Sequence, residues 1–196
     1  MEVLKELDRI TEADERQQHF AVVDNQTGEY RRLTLEDVYR QTESIQLHNP
    51  VPDNVKSNFS TAKNLLVYSW YHYPFNVTAQ FLAFVTVEMA LKDKFKIEKY
   101  QSFRSLIKLA VEEGMVKDDG FEHLYYKSET QELLEKEGMI EDVRPYVETL
   151  TDVMPKLRNE LAHGGNMLHM NGAKSVKICA DFINQLYSEN TANNGD

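Results

Sequence analysis

The stretch over residues 76–95 leaves this chain little choice of fold. Val77, Phe81, Phe84, Val85, Val87, Met89 and Leu91 make it apolar on nearly every side of a helix, and a helix without a polar face has to be surrounded by other elements. It is therefore expected at the middle of a helical bundle. Glu88 is out of keeping with that position, because an ionised carboxylate is costly to bury without a partner.

Other segments supply the surrounding helices. Leu65, Leu66, Tyr68 and Trp70 mark a helix capped by Asn58 or Ser60 and running to Tyr71, and Pro74 separates it from the central one. Tyr68, Trp70, Tyr71, Tyr73 and Phe75 form a dense aromatic cluster, read as bundle core or subunit interface ahead of a platform for stacking bases. Ser102 caps a short helix over residues 103–113. Tyr146, Val147, Leu150, Val153, Met154, Leu157 and Leu161 recur at three- and four-residue spacing, so a helix with one buried stripe follows Pro145. Pro155 lies inside it, which predicts a kink or break just before Lys156. A last helix is expected over residues 173–187. Residues 114–144, acidic and punctuated by Gly114, Gly120 and Gly138, read as a loop-rich connection with a short helix at 129–137.

The N-terminal part has a different pattern. Val3, Leu4, Leu7 and Ile10 suggest a short amphipathic helix within residues 3–19, and residues 20–33 read as two strands around a turn containing Gly28. Thr34, with Glu36 and Asp37 behind it, opens a further helix. Pro50 and Pro52 then break the chain. The expected architecture is mainly α: an up-and-down bundle of four to six helices over residues 56–190, a small N-terminal β-hairpin appendage over 1–55, and a disordered tail over 191–196.

Charge narrows the function. The chain has 22 Lys and Arg against 32 Asp and Glu, a formal net charge of −10, which argues against general affinity for nucleic-acid backbones. The local exception is residues 92–108, where Lys92, Lys94, Lys96, Lys99, Arg104 and Lys108 outnumber Asp93 and Glu98. From this stretch Lys92, Lys96, Lys99 and Arg104 are candidate substrate-binding residues, set against the plainer reading of a solvated charged face. The single cysteine, Cys179, lies in an apolar-periodic run and reads as a buried thiol. The six histidines are scattered, no metal-ligand spacing is present, and no phosphate-cradling glycine loop or dinucleotide fingerprint occurs. No cofactor is expected. Neither a secretory signal nor a membrane-length apolar run is found, so the expected location is cytoplasmic, with no membrane partner.

The chemistry-bearing stretch is Leu157-Arg158-Asn159-Glu160-Leu161-Ala162-His163-Gly164-Gly165. It ends the apolar-striped helix, and Gly164 suits the left-handed position just past a helix end. Residues four apart on a helix differ by roughly 40° and residues five apart by roughly 140°. Asn159 and His163 therefore share a face, and Arg158 leaves from the neighbouring side with a side chain long enough to reach a common site.

An Arg followed by a polar residue, a short gap and a His at the end of a late helix resembles the motif of the HEPN superfamily of small helical domains, many of them metal-independent endoribonucleases of toxin, antiviral and RNA-processing systems. Arg158, Asn159 and His163 fall on the motif positions, and the resemblance spans about residues 60–190. It implies a HEPN-like bundle and RNA cleavage by attack of the 2′-hydroxyl, leaving a 2′,3′-cyclic phosphate and a 5′-hydroxyl. His163 would move the proton, Arg158 would stabilise the phosphate charge, and Asn159 would position either. It also implies a two-fold homodimer in which both motifs meet, and the setting suggests a cognate antitoxin or regulatory protein as partner. Two readings stand for Glu88: a carboxylate that orients Arg158, or a glutamate on the polar edge of its helix. The competing function is a non-catalytic dimeric helical interaction or nucleotide-binding module.

Overall fold

A computed structural model of the chain describes residues 3–24, 26–122, 144–165 and 172–188. Its α-helices are α1 (Leu35–Glu43), α2 (Asp53–Tyr68), α3 (Phe75–Lys94), α4 (Phe103–Glu112), α5 (Tyr146–Ala162) and α6 (Gly172–Tyr187). Two short antiparallel strands, β1 (Ala21–Val23) and β2 (Tyr30–Arg32), pair Ala21 with Arg32 and Val23 with Tyr30. The described residues are thus mainly helical with one small hairpin, as the periodicity indicates. The short helix expected at 129–137 and the tail at 191–196 lie outside the described residues. Among those residues, no helix is long and apolar enough to cross a membrane.

The central helix is where its composition puts it. α3 packs against α2, α4, α5 and α6, and Ala79, Ala83, Val87, Ala90 and Leu91 are fully sealed. Small residues dominate that list, letting neighbouring backbones approach closely, while Leu66, Leu106, Phe182 and Ile183 fill the space between helices. Burying each of these larger side chains contributes about 1.5–3 kcal/mol. The core also draws on Ile45 and Val51, from the chain before α2. Asn184 of α6 holds that stretch in place by accepting from the His48 N–H (2.8 Å) and donating to the Gln46 carbonyl (2.9 Å). Cys179 is buried, and burial pushes its thiol well above the usual range.

Local signals set several helix ends. Thr34 and Asp37 form a reciprocal capping box at α1. The Ser102 hydroxyl accepts from the Ser105 N–H (3.1 Å) to start α4. α5 is capped from a distance: the Asp118 carboxylate accepts from the backbone N–H groups of Tyr146 (2.8 Å) and Val147 (2.9 Å). α2 starts at Asp53, directly after Pro52 and earlier than the caps at Asn58 or Ser60 suggest.

Two expectations are corrected. Residues 3–19 do not form an amphipathic helix. They form two 3-10 turns, Leu7–Arg9 and Glu15–His19, and Val3, Leu4, Leu7 and Ile10 stay exposed. The segment is instead held by Asp14 and Gln17, which bind the turn between α2 and α3 through the Tyr73 N–H and the Ser69 carbonyl. The second correction concerns Pro155. Of the expected kink or break, the break does not occur: α5 continues through Pro155, although proline has no N–H to offer the Thr151 carbonyl one turn back. Pro155 is buried, so its packing offsets the missing bond.

The Arg158–Glu88–Lys92 cluster at the end of α5

The end of α5 is built by the two glycines. The Gly165 N–H bonds to the Glu160 carbonyl (2.8 Å) and the Gly164 N–H to the Leu161 carbonyl (3.2 Å), while Gly164 takes φ +83°. This is the Schellman arrangement, which satisfies carbonyls that the helix end would otherwise leave open. Gly165 is constrained by contact, since a Cβ there would sit 2.7 Å from the Glu160 carbonyl oxygen. The cap residue is His163, exposed, with its own N–H bonded to the Asn159 carbonyl (3.0 Å).

Arg158 points into the bundle side of the same helix end. Its Nη2 donates to Glu88 Oε2 on α3, and its Nη1 donates to Asn159 Oδ1 (2.9 Å). The other oxygen of Glu88 accepts from Lys92 Nζ at 2.6 Å, one turn further along α3. One carboxylate therefore holds two cations side by side, and the trio carries net charge +1. The guanidinium carbon lies 6.0 Å from the Phe103 ring centroid on α4, so three helices frame the group. Guanidinium over an aromatic face is a mildly favourable contact.

Burial pushes the Glu88 carboxyl up, but hydrogen bonds from Lys92 and Arg158 outweigh it and leave the group below its ordinary value. Glu88 is thus a carboxylate that two cations keep ionised. Its side chain is 12% exposed, that of Arg158 28% and that of Lys92 44%, so the cluster grades from core to solvent. Arg158 is not saturated. A guanidinium has five N–H donors; two are engaged by described residues, and Nε is buried with no hydrogen-bond partner among them.

The expected site residues thus fall into two groups. Glu88, Lys92, Arg158 and Asn159 form one connected cluster, and His163 lies on the same helix end, its ring making no hydrogen bond to a described residue. The Asn159 side chain holds Arg158, whereas its contact with His163 runs through the backbone. The rest of the basic stretch is dispersed. Lys96 pairs with Asp93 (3.3 Å) and Arg104 with Asp152 (2.9 Å), and Lys99 is exposed beyond the end of α3. Pairing three or four residues along a helix, or across to α5, spends those charges on the protein's own carboxylates. Phe103 was not visible from the sequence, since nothing in its spacing links it to Arg158. The Glu88–Lys92 pair did have a signal, the i, i+4 interval. Comparison of the chain with protein-family models, curated proteins and solved structures found no match in any of the three.

Proposed function

We propose that the chain is a metal-independent endoribonuclease of HEPN type, in which Arg158 and His163 act on a phosphodiester whose own 2′-hydroxyl is the nucleophile. The observation that carries this reading is the end of α5. There the Arg158 guanidinium, bonded to Glu88 and to the Asn159 side chain, and the exposed cap residue His163 lie within the last turn and a half of one helix. The 2′-oxygen forms a bond to phosphorus and loses its proton to an imidazole. The P–O5′ bond breaks, and the 5′-oxygen takes up a proton. Charge growing on the non-bridging oxygens is met by Arg158, with Lys92 as a second cation held beside it by Glu88. A two-fold dimer would bring a second His163 to the same phosphate, so that base and acid are separate groups. The setting this fits is a toxin-antitoxin or antiviral system with a cognate partner protein, in the cytoplasm.

The experiment is cleavage of a labelled single-stranded RNA by the pure chain in the presence of a chelator. Both His163→Ala and Arg158→Ala are expected to abolish cleavage while leaving the helical circular dichroism unchanged, and the product is expected to end in a 2′,3′-cyclic phosphate. Cleavage that survives both substitutions overturns the assignment.

A second reading draws on the same cluster. Glu88 already occupies part of Arg158, as a purely structural ion pair clamping α5 to α3 would. In that case the chain is a non-catalytic dimeric interaction or nucleotide-binding module, and wild-type protein leaves RNA intact at every concentration.

A further inference from the structure

At the start of α3 the N-terminal segment closes over the bundle. Gln17, the hairpin, α1, the turn after α2 and the first residues of α3 and α6 enclose a cavity of 220 Å³, and none of its lining residues is charged. It is separate from the cluster at α5, because Asn76 on its wall and Glu88 lie about 18 Å apart along one helix axis. Its polar groups are mostly acceptors. The Ser69 hydroxyl donates to the Leu66 carbonyl (2.6 Å) and the Thr42 hydroxyl to the Val38 carbonyl (2.7 Å), so both protons are committed while lone pairs remain. Gln17 Nε2 donates to the Ser69 carbonyl (3.0 Å) and Asn76 Nδ2 to the Tyr73 carbonyl (3.2 Å). Neither amide oxygen accepts from a described residue, and Gln17 is only 5% exposed. A Cβ at position 172 would press on the Asn76 oxygen at 2.7 Å, and glycine there avoids it. Tyr73 is 6% exposed, and its hydroxyl bonds to no described residue although a buried tyrosine hydroxyl ordinarily has a partner.

We infer that this cavity binds a free nucleobase bearing an amino group. Charge sets the first limit, since an ionised ligand would leave water and meet no counter-charge on the lining. Arg16, which lies over the Tyr73 ring at 5.1 Å, gives its Nε and Nη2 to Asp14. Hydrogen bonding sets the second. The Gln17 and Asn76 carbonyls and the Ser69 and Thr42 hydroxyls call for N–H groups, and the Tyr73 hydroxyl can donate to a ring nitrogen. Shape sets the third. Phe20, Leu33 and Leu66 supply apolar walls for the faces of a ring, and the volume is below the about 300–1,000 Å³ of pockets that take drug-sized ligands. A neutral, flat heterocycle with an N–H edge and apolar faces meets all three limits.

The test is equilibrium dialysis of the full chain against labelled adenine. Saturable binding of one adenine per chain is expected, with tighter competition from 2,6-diaminopurine, which has more N–H groups. No competition is expected from 6-dimethylamino-9-methylpurine, which has none, or from the benzamidinium cation, which has N–H groups but carries charge. Thr42→Val and Asn76→Ala each remove one acceptor and should weaken adenine at least tenfold with the circular dichroism unchanged. Adenine should also raise the Tm of wild type and not that of the variants, while Arg158→Ala should bind it as wild type does. A crevice that holds only water gives no saturable binding, and that result overturns the proposal. So do equal competition by the methylated purine, full affinity in both acceptor variants, and loss of binding in Arg158→Ala.

Discussion

Two carboxylates deep in this molecule each hold an arginine, and they are finished differently. Asp14 accepts from the Arg16 N–H (3.1 Å), Arg16 Nε (2.7 Å), Arg16 Nη2 (2.8 Å) and the Tyr73 N–H (2.8 Å). Arg16 lies over the Tyr73 ring at 5.1 Å, and that ring stacks on Phe20 at 5.7 Å. Glu88 joins cations from two helices, and its Arg158 keeps a buried Nε–H with no acceptor among the described residues. The first arrangement is closed, with Arg16 only two residues from Asp14, and is a latch fastening the N-terminal segment to the α2–α3 turn. The second spans 70 residues of sequence and is left with donors to spare. The Arg158 side chain is 28% exposed and engages two of its five N–H groups with described residues, so this cluster is the one expected to meet something from outside.

The latch gives the largest effect. Asp14→Ala removes four hydrogen bonds and leaves the Tyr73 N–H buried without an acceptor. Urea unfolding should show a loss of about 3 kcal/mol, with Tm lower by about 6–10 °C. Binding of inorganic phosphate should not change. A loss below about 1 kcal/mol, within the range of ordinary surface substitutions, would show that the latch is decoration.

Acid tests the same group without mutation. Burial pushes the Asp14 carboxyl up, but the hydrogen bonds from Arg16 and the Tyr73 N–H win and bring it from 3.8 to about 2. A folded-state value below the unfolded one means the stabilisation is fully present above the ordinary aspartate value and is lost as pH falls towards about 2. This contribution is about 2 kcal/mol. Wild type should therefore lose about that much more stability than Asp14→Ala between about pH 5 and about pH 2. Parallel losses in the two proteins would mean that Asp14 does not carry the pH dependence.

What could be read from the residues and what could not divides along the same line. The apolar circumference of α3, the stripe of α5, the Ser102 and Thr34 caps and the two closing glycines are all set by neighbours within a turn or so, and their spacing displays them. The Asp118 cap on α5 and the reach of Arg158 to Glu88 are tertiary contacts, which no local period encodes. The arm over residues 3–19 shows the limit from the other side. Val3, Leu4, Leu7 and Ile10 have helical spacing, but a short helix is marginal alone, and here the stripe finds no surface to bury. Long-range contacts from Asp14 and Gln17 set the path instead.

The cluster at α5 should respond to an anion where the latch does not. In Glu88→Gln, Arg158 and Lys92 face each other without a counter-charge. The cost should be about 1–2 kcal/mol, below that of breaking a fully buried pair because both cations reach solvent. Inorganic phosphate at about 10 mM should restore most of that loss, and should stabilise this variant more than wild type. Asp14→Ala should show no such recovery. Equal phosphate effects in all three proteins would remove the distinction between a closed ion pair and an open one.

The smallest expected effect concerns the cap that holds His163. Gly164 sits at φ +83° with nothing within 4 Å of where a Cβ would be. Gly164→Ala therefore introduces no clash and isolates the backbone cost of a left-handed position, about 1 kcal/mol. Gly164→Asn should cost less, because asparagine tolerates that conformation. If His163 acts from this last turn, RNA cleavage should fall in the same order, glycine above asparagine above alanine, at a temperature where all three proteins are fully folded. An unchanged rate across the series, with stability falling as expected, would show that the placement of the imidazole by the cap is irrelevant to the chemistry.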